Sequence, residues 1–173
     1  NYLLSWFKIR IMRKFIYTLF VSVFLSSVGF GQISMSQLIK VAKMDKETFE
    51  IYAMDRGFNF SNLDDHEGVK GLIMLKKSGA YNYELLTSYS KYFKFKYASN
   101  YQFSRTDKDR LLSIYKELKA LGFKLGNSRV IDGDQDDEDV YRYEKNYERG
   151  DESINIYIKS DKVKILYKMF PEF

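Results

Sequence analysis

The sequence contains no cysteine and only one histidine and one proline among its 173 residues. Without cysteine the chain has no disulfide framework, no thiolate nucleophile, no cysteine-ligated zinc and no lipid-modified cysteine anchor. The single histidine, His66, cannot form a metal site built from several histidines. Glycine-rich phosphate loops are also missing, because the ten glycines are scattered at predicted turns and helix ends. These absences exclude many catalytic and metal-binding classes.

What is present is an ordinary globular composition. Hydrophobic residues make up 45% and charged residues 29% of the chain, fractions that are close to those of folded domains. Wholesale disorder is therefore not expected. The length suits one compact domain or two small units that share a core.

The N-terminal region has the three-part pattern of a secretory signal. A basic start at Met12 to Lys14 precedes an uncharged stretch from Phe15 to Val28, and the small residues Gly29 and Gly31 follow. We expect residues 12–31 to be a signal peptide that is cleaved after Gly31. A retained membrane anchor is the alternative, but 14 uncharged residues at ~1.5 Å of rise each fall short of a ~30 Å hydrocarbon core.

Residues 1–11 begin with Asn1 and add two basic residues upstream of this complete signal. We expect them to be a non-native extension that results from a start assigned too early. Removing residues 1–31 leaves 142 residues (173 − 31) with 24 basic and 23 acidic side chains. A net charge of +1 gives no overall attraction to nucleic acid. No stable membrane span is expected after cleavage, and the predicted location is the periplasm or the cell exterior.

Charge is unevenly distributed along the remaining chain. Residues 76–110 hold eight basic and three acidic residues, whereas residues 129–152 hold four basic and ten acidic residues. This dipolar layout favours an interaction role, although it does not indicate whether the two regions face each other or two partners.

Caps and apolar stripes predict the helices. Asp45 is a candidate N-cap of a helix that runs to Arg56, and Gly57 stands where a left-handed C-cap is needed. Thr106 and Asp109 form a candidate capping box for a later helix. The apolar stripe of that helix consists of Leu111, Ile114, Leu118 and Leu121. A further short helix is predicted over Ser36 to Met44.

The order of elements suggests two tandem units, residues 32–104 and 105–173, which form one cooperative body. Each unit has a helix, a Gly-Phe pair, an acidic loop and three strands, and the loops are predicted at Asn62 to Gly68 and Asp132 to Asp139. The predicted strands are Leu72 to Lys77, Tyr83 to Tyr89, Tyr92 to Ala98, Val140 to Lys145, Ser153 to Lys159 and Val163 to Met169. Short hairpins are predicted at Ser90-Lys91 and at residues 160–162.

The predicted fold class is α+β, with helices packed on one face of an antiparallel sheet, either in a tandem repeat of a helix plus antiparallel strands or as one longer sheet. The alternating apolar residues of the last strands are typical of a sheet that is covered on one side. The alternative to duplication is that two halves share a common α+β order by chance.

This order of helices, Gly-Phe pair and antiparallel strands resembles the tandem α+β architecture of the β-lactamase-inhibitory proteins. The resemblance covers residues 34–173 as topology only, and the two disulfides expected of that family are absent. The signal that ends in Gly-Phe-Gly-Gln, followed by a part rich in aromatic residues and lysine, is also similar to uncharacterised small secreted proteins of Gram-negative bacteria. Neither resemblance implies a reaction.

An acidic run at residues 132–139 is the sharpest local signal. The carboxylates of Asp132, Asp134 and Asp136 stand at alternate positions that suit a hard cation such as Ca²⁺. The EF-hand pattern is incomplete, because Asp137 takes the place of the turn glycine and a tyrosine takes the place of the closing glutamate. The alternative is a solvated connection that like charges keep extended.

Basic and aromatic residues alternate from Tyr92 to Tyr97, which predicts a strand with an apolar face and a face that carries Lys94 and Lys96. Such a pattern suits an anionic polymer or single-stranded nucleic acid. A half-buried strand with lysines on its wet side has the same pattern. Predicted export and the charge balance favour the second interpretation.

Tyrosines near the acidic run are candidates for an exposed contact surface, because tyrosine combines apolar area with a polar tip. The alternative is packing between strands. The candidate interaction residues are Asp137, Asp139, Tyr141, Tyr143, Lys94 and Lys96.

Catalysis has weak support in the sequence. His66 lies between acidic residues and could act as a base that a carboxylate orients, but no serine or threonine stands in a nucleophile-elbow context. A solvated loop histidine is the simpler interpretation. We therefore expect a small exported non-enzymatic protein without a cofactor that binds an unidentified protein or envelope macromolecule. The alternative is a small calcium-binding protein or carboxylate-dependent enzyme that uses Asp132, Asp134 and Asp136.

Overall fold

The computed structural model describes residues 32–77, 82–105, 108–130, 143–159 and 161–171. The predicted signal peptide at residues 12–31, the extension at residues 1–11, Thr106 and the acidic run at residues 132–139 lie outside the described residues. Within the described part of the chain, no helix is long and apolar enough to cross a membrane. Residues Ile33–Phe173 belong to one compact unit.

The described residues form three helices and eight strands. The helices are α1 (Met35–Val41), α2 (Lys46–Met54) and α3 (Lys108–Ala120). The strands are β1 (Asn59–His66), β2 (Val69–Lys77), β3 (Tyr83–Tyr92), β4 (Tyr97–Ser104), β5 (Lys124–Val130), β6 (Tyr143–Arg149), β7 (Glu152–Ile158) and β8 (Lys162–Met169). All the strands belong to one antiparallel sheet with the order β1-β2-β3-β4-β8-β7-β6-β5. The α+β class predicted from the sequence is therefore confirmed.

The helix caps explain where α1 and α2 begin. Ser34 forms a capping box with Gln37 at the start of α1, and the Asp45 side chain accepts a hydrogen bond from the Thr48 N–H at the start of α2. These contacts satisfy N–H groups that have no partner inside the helix. The predicted N-cap at Asp45 is confirmed, and Gly57 adopts the expected left-handed conformation with φ +79°.

The helices cover one face of the sheet, and the hydrophobic core lies between them. Fully buried side chains from α1, α3 and the central strands meet there, including Leu38, Ile114, Leu118 and Ile156. The predicted stripe of α3 is confirmed, because its other two members, Leu111 and Leu121, pack against the same core. Two serines of the sheet, Ser88 and Ser99, donate hydrogen bonds to carbonyl oxygens of α1, at Val41 and Leu38.

The predicted acidic loop at Asn62 to Gly68 is wrong. Residues 62–66 belong to β1, and only a turn at Glu67 and Gly68 separates β1 from β2. Strand β5 was likewise not predicted. Both are edge strands whose side chains are largely exposed on both sides, so neither has the period-two apolar pattern that reveals a half-buried strand. Each half of the sheet therefore has four strands instead of three.

The predicted strand at Tyr92 to Ala98 is also misplaced. Strand β3 runs through Ser90 and Lys91 to Tyr92, so the predicted hairpin at those two residues is wrong, and the turn lies at Phe93 and Lys94. Phe93 has φ +49°, and its N–H donates to the Gly68 carbonyl oxygen. The aromatic side chains of this turn pack on one another. Aromatic residues and lysines alternate here as they would in a half-buried strand, and this is why the sequence predicted one. The hairpin predicted between β7 and β8 is confirmed by its flanking strands.

Candidate functional site

The face of the sheet opposite the helices carries mainly polar side chains, and we call it the polar face. Its middle row crosses neighbouring strands and consists of Thr87, Asn100, Leu166, Asn155 and Asn146. A second row consists of Gln102, Lys164, Tyr157, Glu144 and Arg129, and a third consists of Tyr89, Ala98, Lys168, Ser153 and Glu148. Successive residues of each strand alternate between this face and the core. Every second residue of these strands therefore belongs to the polar face.

Among the described residues, asparagines of the middle row have carbonyl oxygens without a hydrogen-bond partner. Asn100 and Asn155 are each only 7% exposed, yet their Oδ1 atoms and that of Asn146 have no partner. Two of these amides are oriented by carboxylates, because Asn155 Nδ2 donates to Glu144 at 3.0 Å and Asn146 Nδ2 donates to Glu148 at 2.6 Å. Buried acceptors without a partner are uncommon and costly. This row therefore suits a ligand that brings N–H or O–H donors.

Two lysines of β8, Lys164 and Lys168, lie on either side of Leu166 on the same face. In the described part of the chain, neither ammonium group has a carboxylate within 4.0 Å. Burial lowers the pKa of both side chains, and the charges of Asp64 and Glu144, respectively, partly counteract this effect. A half-buried cation without an ion pair is stabilised by an anionic ligand. The lysines therefore attract negative charge, and the neighbouring amide oxygens accept hydrogen bonds, so the face suits a ligand that has both anionic groups and hydrogen-bond donors.

At one side of the face, a charged pair, Arg129 and Glu144, is joined by hydrogen bonds, and its two charges compensate each other. Arg129 Nε donates to Glu144 at 2.6 Å, and Glu144 also accepts from Asn155. Burial and the neighbouring Glu144 raise the pKa of Tyr157 well above its usual range. Tyr157 therefore stays neutral at physiological pH and serves as a hydrogen-bonding group, not as a base.

Side chains of strands that are not neighbours act on one another across the polar face. Asp64 on β1 and Lys164 on β8 are separated by four strand steps, which is about 19 Å in a flat sheet at ~4.8 Å per strand. The Asp64 charge nevertheless acts on Lys164. Tyr92 at the end of β3 similarly acts on Tyr157 of β7. Side chains from distant strands therefore influence one another over the polar face.

An aromatic group continues the polar face at one end of the sheet. The rings of Tyr92 and Phe95 lie 6.0 Å apart, and those of Phe95 and Phe170 lie 4.7 Å apart. Lys168 lies over the Phe95 ring at 5.1 Å, and Lys94 lies over the Phe170 ring at 5.6 Å. These cation–π contacts leave the ammonium groups available for a partner.

A cavity lies on the helix side of the sheet. It has a volume of about 270 Å³ and is lined by the start of α2 and by β1 to β3. Its apolar lining includes Met44, Phe49, Leu63 and Leu72, and an exposed ion pair between Asp65 and Lys70 lies at its rim. It lacks the buried polar side chains without partners that mark the polar face.

The structure brings few of the predicted site residues together. Asp132, Asp134, Asp136, Asp137, Asp139 and Tyr141 lie outside the described residues. Tyr143 of β6 packs against the core, on the helix side of the sheet. Lys94 and Lys96 are exposed at the turn after β3 and the start of β4, so they do not share a surface with Tyr143. Among the described residues, no group of three or more carboxylates and histidines could hold a metal.

His66 is exposed near the end of β1, and its Nδ1 lies 2.8 Å from Asp64 Oδ1. The predicted loop position is wrong, because this pair belongs to an edge strand. The described neighbours offer no serine or threonine hydrogen bond to the ring. The arrangement is a surface ion pair when the histidine is protonated.

Sequence reasoning missed the residues that define the polar face. Asn100 and Asn155 look like ordinary strand positions, because their burial depends on which strands lie beside them in the sheet. A signal was available in β8, where Lys162, Lys164 and Lys168 alternate with apolar residues. That alternation identifies one polar side of the strand but does not reveal that this side is half-buried.

Comparisons with protein-family models, curated proteins and solved structures gave no match.

Proposed function

We propose that this chain is an exported, non-enzymatic binding protein, and that its polar face contacts an acidic partner macromolecule of the periplasm or cell exterior. The observation that carries the proposal is that the polar face combines buried amide oxygens with two half-buried lysines, none of which has a hydrogen-bond or ion-pair partner, respectively, among the described residues. A partner with backbone or side-chain donors and carboxylates complements both groups. The export part of the proposal rests on the signal pattern at residues 12–31.

The chemistry of the face favours binding over catalysis. Tyr157 and Tyr92 have raised pKa values, through burial first and then through carboxylates nearby, so neither is poised to exchange protons near neutral pH. The carboxylate of Glu144 is engaged by Arg129 and Asn155. These groups orient and neutralise one another, as contact residues of an interface do.

We also propose that the two halves of the sheet are tandem copies of one unit. The first support comes from the exits of α2 and α3. Gly57 and Gly122 have φ values of +79° and +82°, and the N–H groups of the phenylalanines that follow donate to α2 and α3 carbonyl oxygens at 3.1 and 3.0 Å. The register of β1 and of β5 then shifts just after Phe60 and just after Leu125, each three residues beyond its glycine.

Side-chain contacts repeat in the same order. Lys76 of β2 lies over the ring of Phe58, and Arg149 of β6 lies over the ring of Phe123. The residue that pairs with each of these cations across the sheet is a glutamate, Glu84 or Glu152.

Each glutamate accepts a hydrogen bond from a buried tyrosine of the next strand. Tyr101 donates to Glu84 at 2.5 Å, and Tyr167 donates to Glu152 at 2.7 Å. These matches relate specific residues as well as element order, so they favour duplication over chance. The strand order, which is symmetric about the β4–β8 pair, agrees with this proposal and puts the Asn100–Leu166 pair at the centre of the molecule.

The binding proposal is tested by capture from envelope extract under gentle cross-linking. The bait is residues 32–173, and the test variant is Lys164→Gln/Lys168→Gln. The matched control, Lys116→Gln/Lys119→Gln, removes the same charge from exposed positions of α3. We expect a partner that binds wild type and control and is lost with the test variant. Equal capture by all three proteins, or turnover of envelope substrates by the purified protein, would contradict the proposal.

A further inference from the structure

Within the part of the chain that the structure describes, the two edges of the sheet are open, since β1 and β5 each have a neighbour on one side only. Every residue of β5 is exposed, and all residues of β1 except Asp64 are exposed. The outer backbone groups of such strands can pair with another strand. Natural edges of this length are usually shielded by charge, bulges or covering elements, so the composition of these two edges is informative.

Both edges carry exposed apolar side chains on the helix side of the sheet. Leu63 of β1 is 59% exposed and pairs with the buried Leu72. Leu125 of β5 is 53% exposed and pairs with Tyr147, which packs against the core. Each edge therefore extends the apolar side of the sheet outward, where a neighbouring strand could cover it.

The charges of the two edges are opposite. Asp64 and Asp65 lie towards the C-terminal end of β1, and Lys124 begins β5. Because neighbouring strands in the sheet alternate in direction, β5 is antiparallel to β1. A second copy in the same orientation would thus place its β5 antiparallel to β1 of the first copy. The acidic end of β1 would then meet the basic start of β5.

One register satisfies both the charges and the faces. When Leu63 is opposite Leu125, Asp64 is opposite Lys124. The leucine pair then lies on the helix side of the combined sheet, and the charged pair lies on the polar face. Bulges normally protect an edge from such pairing. Here the bulge after Phe60 and the bulge after Leu125 fall opposite each other, so the faces remain in register on both sides of them.

We propose that this protein associates with a second copy of itself through β1 of one molecule and β5 of the other, with Leu63 opposite Leu125 and Asp64 opposite Lys124. The contact is heterologous, since each molecule uses a different edge, and each added copy leaves one β1 and one β5 edge open. The assembly therefore grows with concentration. The polar face remains accessible for a different partner.

The test uses two single-edge variants and sedimentation velocity. Leu63→Lys blocks β1 and leaves β5 open, whereas Leu125→Lys blocks β5 and leaves β1 open. Both positions are exposed, so both variants should keep the circular dichroism spectrum and thermal midpoint of wild type. We expect wild type to show larger species as its concentration rises. Each variant alone should stay monomeric, and an equal mixture of the two should form a dimer that grows no further.

Charge variants test the register. Asp64→Lys should weaken association roughly two- to fivefold, as expected for an exposed ion pair, and Lys124→Asp in the partner molecule should restore it. Added salt should weaken the wild-type contact and leave folding unchanged. A wild type that stays monomeric at millimolar concentration overturns the proposal. Dimerisation of one single-edge variant by itself also overturns it, because that result would mean pairing of two identical edges.

Discussion

At the scale of single residues, two buried tyrosines, Tyr101 and Tyr167, donate hydrogen bonds to half-buried glutamates. Tyr167 is fully buried, and its hydroxyl donates to Glu152. Burial alone would raise the pKa of Glu152, but the hydrogen bonds from Tyr167 and Arg149 outweigh that effect and lower it. A carboxylate with a lowered pKa stabilises the fold above its unfolded pKa, and that stabilisation is lost as the pH falls through the folded value.

The change Tyr167→Phe should lower the free energy of unfolding by about 1–3 kcal/mol at neutral pH, because it removes a hydrogen bond to a charged group. The loss should shrink as the pH falls below the ordinary glutamate range and through the lowered pKa of Glu152, because the carboxylate then becomes protonated. Urea unfolding at several pH values measures both effects. Tyr101→Phe is the matched variant, since Tyr101 makes the corresponding bond to Glu84. A loss at neutral pH that persists unchanged in acid would contradict the role assigned to the Glu152 charge.

At the scale of elements, the helix exits were predictable and the edge strands were not. A glycine directly after an apolar stripe identifies a helix end through backbone sterics alone, and the positive φ values of Gly57 and Gly122 agree with that reasoning. Strands β1 and β5 owe their conformation to hydrogen bonds with β2 and β6. Those partners are not visible from the local sequence, so the polar residues of β1 were interpreted as a loop.

The change Gly122→Ala should lower the free energy of unfolding by about 1–2 kcal/mol, the usual cost of a left-handed conformation for a residue with a Cβ atom. The added Cβ would lie 3.9 Å from Arg149 Cδ, an ordinary contact, so the cost arises in the backbone. Gly126→Ala is the control, because Gly126 is not among the positive-φ glycines. Urea unfolding midpoints compare the two, and an equal loss for both would contradict the explanation.

At the scale of the whole molecule, the β4–β8 pair joins the two halves. Its register pairs every residue from Tyr97 to Ser104 with a residue of β8, and one hydrophobic core contains residues from both halves. A half of this size would bury too little apolar surface to be secure alone. We therefore expect the folding of each half to depend on pairing between β4 of one half and β8 of the other.

Separate chains of residues 32–104 and 105–173 should each lack cooperative thermal unfolding, because each exposes a central strand and half of the core. An equimolar mixture should recover the circular dichroism spectrum of the intact chain and melt in a single transition. Calorimetry of the fragments and the mixture measures this. A cooperative transition in either fragment alone would indicate that the halves are independent domains.

The sequence by itself determined the α+β class, the N-cap of α2, the glycines that follow α2 and α3, the apolar stripe of α3 and the last two strands. These features depend on local sterics, capping and hydrophobic period, all of which are written in consecutive residues. Only the tertiary structure decided the edge strands, the turn at Phe93 and the polar face. The middle row of that face joins residues that are far apart in the chain, such as Thr87 and Asn155. Strand order brings them together, and it is not encoded in any short segment.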